Sequence, residues 1–307
     1  MDEWLQPALR FFQYLLLLGL FGWTAFRVVG LRAASWVPAR SGRTAAIVAA
    51  ILAPFVSTGL MLASLAAMMG QAIATLDWPM IEAMTFSTEM GWAFLMRTAL
   101  LVAAALALLA APKNLKLPIA ALCFAGGLMT LGWSGHAAAT EGMLGWVHRL
   151  GNGVHLLAAA LWLGAIGWFV HLSIIAHREP ERVPVAQLIA IMHGFAPFGV
   201  ALVAIVSITG LINAQLIFGL ENGASTFATS YGKLLAAKIL IVGAMLALGA
   251  HNAWISRRSA ARGESAELDR GVALAILRRS LAFEMSLGII VLGLVALLGT
   301  LSPMTME

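Results

Sequence analysis

The chain has a single cysteine, Cys123, and it lies inside an apolar run. That excludes a disulfide framework and any CxxC metal or redox pair. No GxxxxGK[ST] motif occurs, and no connection between apolar runs is long enough to house a nucleotide-binding domain. Nucleotide-driven pumping by this chain alone is therefore not expected, and no other catalytic motif marks it as an enzyme. Charge is also scarce, at 11% of residues against 61% hydrophobic. No soluble domain of 307 residues needs so much apolar surface. The formal net charge of +5 does not indicate nucleic acid, because the basic residues fall in short loops between apolar runs, as membrane topology requires. Asp2 and Glu3 precede the first run without a basic n-region or an A-x-A site. That run is expected to be a retained helix and not a signal peptide.

The fold class expected is an all-α, polytopic membrane bundle of eight spans surrounded by lipid. The spans fall at about 8–31, 44–70, 89–111, 117–134, 146–177, 184–214, 232–254 and from the 270s to about Thr300. Segment 71–88, with Asp77, Trp78, Pro79 and Glu82, is too polar to cross and reads as a short amphipathic piece at the interface. The stretch 255–271 is the most charged and reads as a connection. The fifth span is long enough that one end should project from the hydrocarbon, or the helix should tilt. Two parts follow: 1–116, three spans, and 117–307, five spans.

Alternate connections carry Arg32, Arg40, Arg43, Lys113, Lys116, Arg178, Arg182, Arg257, Arg258, Arg262 and Arg270. The loops 71–88, 135–145 and 215–231 carry no Lys or Arg. The positive-inside rule then puts both termini outside. His136, His148 and His155 fall on the outer side, and His171, His177, His193 and His251 toward the inner side.

Three histidines cluster around one membrane boundary. His148, His155 and Trp162 recur every seven residues, so they share a helix face, each about two turns from the next. The run Ala137–Gly142 is short enough for His136 to fold back over the helix carrying His155. Three converging imidazoles suit a transition-metal ion or a haem. The structural alternative is a set of helix-to-helix hydrogen bonds. His148 lies roughly 10 Å from His155 along a helix, too far to share one ion without distortion. Lys238 and Glu284 lie inside apolar spans, where isolated charge is costly and marks functional candidates. Snorkelling of Lys238, and pairing of Glu284 with Arg278, Arg279 or His251, are the alternatives.

Trp133-Ser-Gly-His136-Ala, then His148, then His155-Leu-Leu-Ala-Ala-Ala-Leu-Trp162-Leu-Gly164 resemble the signature of the CopD family of bacterial inner-membrane copper proteins. Thr209-Gly210, Ser230-Tyr-Gly-Lys-Leu-Leu235 with Lys238, Asn252, and Arg279-Ser-Leu-Ala-Phe-Glu284 through to Pro303 match the family's other recurrent segments. The match covers roughly 117–303. Helices 1 to 3 agree only in number and size. The resemblance implies copper homeostasis or resistance, copper uptake from periplasm to cytoplasm, and a periplasmic CopC-like partner. It also implies a multi-pass protein of the bacterial inner membrane.

The ion expected is copper, as Cu(I) or Cu(II); Cu(I) prefers thioether, thiolate and imidazole ligands. With one cysteine, the available set is Met and His. His136, His155 and His148 are the metal candidates. Of the fifteen methionines, Met68, Met69, Met80, Met84, Met90, Met143, Met304 and Met306 fall near the outer face; Met84 and Met143 are the additional ligand candidates. Ordinary helix packing accounts for methionines equally well. His193, His251, Lys238 and Glu284 are candidates for a path inward. The alternative function is a haem b electron carrier or oxidoreductase. There His155 with an outer partner, and His171 or His193 with an inner one, would hold the porphyrins.

Overall fold

The computed structural model describes residues 4–37, 42–260 and 267–303. Arg40, Arg262, Met304 and Met306 lie outside the described residues, as do Asp2 and Glu3. Among those described, ten α-helices occur: α1 (Leu5–Val29), α2 (Arg43–Met69), α3 (Trp78–Ser87), α4 (Glu89–Ala110), α5 (Lys116–Met129), α6 (Gly142–Arg178), α7 (Val185–Phe218), α8 (Gly223–Ala228), α9 (Ser230–Ala260) and α10 (Glu267–Leu298). Seven of them, and α5 together with the 3-10 turn Thr130–Trp133 that continues it, make eight segments long and apolar enough to cross a membrane; α3 and α8 are not. In lipid every backbone polar group needs an internal partner, and a continuous helix supplies it.

The polar segment after α2 forms a short 3-10 turn, Ile73–Thr75, and then α3. Asp77 caps α3 by accepting from Met80 N at 3.0 Å, and Pro79 occupies its first turn. A side-chain acceptor at the N-cap and a proline just inside are the signals that start a helix. The expected connection 255–271 is largely helical instead. The helix α9 continues through Arg257 and Arg258 to Ala260, and α10 begins at Glu267. Arginine is a good helix former, and Arg258 lies over the Trp254 ring at 5.1 Å, so charge moves the helix out of lipid without ending it.

The helix α6 is the axis of the molecule. Its 37 residues make roughly 55 Å of helix, more than the hydrocarbon thickness. One buried cluster joins Phe26 of α1, Trp162, Trp168 and Leu172 of α6, Leu188 of α7 and Leu277 of α10. A second joins Leu17, Ala50, Leu101 and Phe124 of α1, α2, α4 and α5 to Leu156 and Ala160 of α6. The two helices α1 and α6 cross at Gly22 and Gly164, so closely that a Cβ on either would strike the other's backbone. One turn further on, Trp168 stacks on Trp23 with ring centroids 3.9 Å apart and donates from Nε1 to Trp23 O at 2.8 Å. By contrast, α7 and α9 have little of their spans covered by protein, leaving their outer faces to lipid.

Candidate metal centre

The turn ahead of α6 is built on two glycines. Gly135 and Gly142 both have positive φ (68° and 63°), a region that side chains with a Cβ rarely adopt. Between them Gly135–Ala139 forms a 3-10 turn, and α6 starts at Gly142, four residues earlier than the sequence suggests. His136 is directed toward α10 and α9, at Leu298 and Tyr231. Among the described residues, no three His, Cys, Asp or Glu side chains come close enough to hold one ion. The expected convergence of three imidazoles is not formed, and each ring has a separate partner.

His136 directs Nε2 at the Leu298 carbonyl, 3.3 Å away, with its ring edge-on to Tyr231. A carbonyl only accepts, so Nε2 carries the proton and Nδ1 keeps the lone pair of a neutral ring. His148 is 1% exposed and bonds through Nδ1 to Thr140 Oγ1 at 2.8 Å. The neighbouring corner is held by Arg149, which pairs with Glu89 at 3.0 Å and lies over the rings of Trp133 and Trp146.

His155 faces α7. Its Nδ1 lies 3.1 Å from Val206 O and 3.0 Å from Thr209 Oγ1. The Thr209 hydroxyl donates to Ile205 O, so toward the imidazole it accepts. Two acceptors around Nδ1 fix the proton there, and Nε2 of the neutral ring keeps its lone pair. Outer-shell acceptors orient metal-binding histidines in this way. Gly210 packs beside the ring: a Cβ there would lie 3.6 Å from His155 Cε1, an ordinary contact. His155 and Thr209-Gly210, 54 residues apart, thus form one unit. The sequence reading missed this link, and Thr209-Gly210 within an apolar span was its only trace.

The methionine candidates separate. Met84 is buried with Met61 and Leu65, packed against Met80, Met90 and Phe94 between α2, α3 and α4. Met143 is 80% exposed at the start of α6. Among the inner histidines, His171 is wedged edge-on against Trp23 and Trp168. His177, His193 and His251 are exposed; His251 stacks on Trp254, and His193 lines a surface hollow beside Trp254 and Arg257. Glu284 is buried and accepts from Asn252 Nδ2 at 3.0 Å. Neither Arg278, Arg279 nor His251 pairs with it.

Comparison with known proteins agrees with this architecture. Residues 1–146 match the family model of the copper resistance protein D-like N-terminal domain, and 189–298 match that of copper resistance protein D. The first three spans, which had agreed only in number and size, thus carry a family signal of their own. The chain is 33% identical over 321 aligned positions to copper resistance protein D of Pseudomonas syringae pv. tomato, covering 99% of this chain and 98% of that one. It is 26% identical to the inner membrane protein YebZ of Escherichia coli (strain K12), over 81% of each. Half of the chain is 29% identical to 27% of the copper transport protein CutJ of Bacillus subtilis (strain 168). No solved structure matches. A bundle of eight apolar helices that aligns end to end with one such protein, and matches two family models, is a multi-pass inner-membrane protein belonging to the copper resistance protein D family.

Proposed function

We propose that this protein binds copper at the end of the bundle that carries the Gly135–Ala139 turn and moves it toward the end with the basic connections, from periplasm to cytoplasm. It catalyses no covalent reaction. The observation that carries this reading is His155, a partly buried imidazole whose Nδ1 is tied by Val206 O and Thr209 and whose Nε2 is left to ligate. His136 is the first imidazole at the water-facing turn, presenting Nδ1. His148, turned into its bond with Thr140, lends structure to the turn more than a ligand. A site built on imidazole, with thioethers as the other soft donors of this chain, favours Cu(I) as the species held. A CopC-like periplasmic protein is the expected donor. Metal analysis and an absorption spectrum of the purified chain test the reading: copper without a Soret band supports it, and a Soret band replaces it with the haem reading.

Sidedness is tested by labelling. In a Cys123→Ser background, cysteines at Thr75, Ala139 and Asn222 are expected to react with an impermeant reagent in whole cells. Cysteines at Ser41, Asn114 and Arg262 are not. Labelling of Arg262→Cys from outside would reverse the direction of uptake. Movement across the bundle requires sites that release the ion. His193 and His251 flank Trp254 at the basic end, exposed and free to exchange. The double substitution His193→Ala, His251→Ala is expected to leave copper binding intact while lowering uptake into liposomes severalfold. Unchanged uptake would remove both residues from the path.

A further inference from the structure

Apart from the copper reading, and independent of it, the bundle encloses a cavity of about 440 Å3 between α6, α7, α9 and α10. Trp162, Phe169, Met192 and Phe195 form apolar walls, and Asn252 with Glu284 forms a polar floor. The mouth lies at Pro197, Val200 and Ala250, all exposed, with Val200 at 70%. These residues sit on α7 and α9, the two spans least covered by protein, so the opening faces hydrocarbon and not water.

The floor is chemically incomplete. Asn252 spends Nδ2 on Glu284 Oε2, which leaves Asn252 Oδ1 buried and without a partner. Glu284 Oε1 stands beside Gly249, and among the described residues no cation pairs with that carboxyl group. A buried acceptor left empty is costly, and Asn252 Oδ1 at the end of a lipid-open cleft calls for a donor. The volume suits a small organic molecule and far exceeds a single ion. The aromatic walls suit a flat ring, and the route in suits a molecule dissolved in the bilayer. We propose that this cavity binds a lipid-soluble hydroquinone, its ring lying against the wall formed by Trp162, Phe169 and Phe195 and a ring hydroxyl donating to Asn252 Oδ1. Glu284 holds the asparagine so that Oδ1 points into the cavity.

The full-length protein in detergent is titrated with decylubiquinol, and binding is followed by quenching of tryptophan fluorescence, Trp162 lying in the wall. Saturable binding to one site per chain is expected. The oxidised quinone, which has no ring hydroxyl to donate, should bind about tenfold more weakly, and Asn252→Leu should weaken the hydroquinone by about the same factor. Ala250→Phe, at the exposed mouth where folding is not at stake, should abolish saturation. Quenching that is unsaturable, or the same in Ala250→Phe, would mean partition into the micelle and overturn the site. Equal binding of quinone and hydroquinone, or equal competition by decanol, would overturn the ligand class.

Discussion

Replacing His155 by alanine is expected to lower copper affinity by about a hundredfold, and Thr209→Val by about tenfold. The two substitutions act at different distances from the ion. The first removes the imidazole whose Nε2 would ligate, and alanine offers a soft ion no donor in its place. The second keeps the ring but removes one of two acceptors that hold Nδ1–H. With Val206 O alone, the ring turns more freely, and less of it presents Nε2 in register. Copper titration against a competing chelator measures both. A Thr209→Val protein that binds as weakly as His155→Ala would indicate collapse of the α6–α7 contact. An His155→Ala protein that binds normally would put the site elsewhere.

The second large effect concerns the crossing of α1 and α6. Gly164→Leu is expected to destabilise the bundle by about 3 kcal/mol or more, because a side chain there meets the backbone of Gly22 and not a side chain that could rotate away. The helices would have to separate, and the stacked pair Trp23 and Trp168 would open with them. In hydrocarbon, close backbone approach is a main source of helix association, so little else compensates. Gly127→Ala is the contrasting case. Gly127 is buried in α5, yet a Cβ there meets nothing within 4 Å, and the change should be neutral or stabilise by about 0.5–1 kcal/mol. Thermal unfolding of both variants in one detergent checks the contrast. Equal melting of Gly164→Leu and the unmodified chain would mean that α1 is not anchored through this crossing.

Much of the architecture was legible from hydropathy alone. A run of about twenty apolar residues has one stable form in lipid, so the number of spans and their approximate limits follow from local composition. Charge marked the connections for the same local reason, although it misled at 255–260, where arginines extend α9 past the membrane and do not end it. Motif residues could be marked from spacing, but spacing along a helix says nothing about what stands opposite. That His155 meets Thr209 and Gly210, that Gly164 meets Gly22, and that Asn252 meets Glu284 at the floor of a cavity depend on which helices are neighbours. Helix neighbours are chosen by interdigitation of whole faces, a property of pairs of segments far apart in the chain. The same holds for the three outer histidines. Their order along the chain suggested convergence, but the short glycine-bounded turn and the start of α6 at Gly142 give each ring its own direction. Composition therefore determined that the chain has eight segments long and apolar enough to cross a membrane, and only the packing of α6 against α1, α7 and α10 decided which polar atoms are left to bind something.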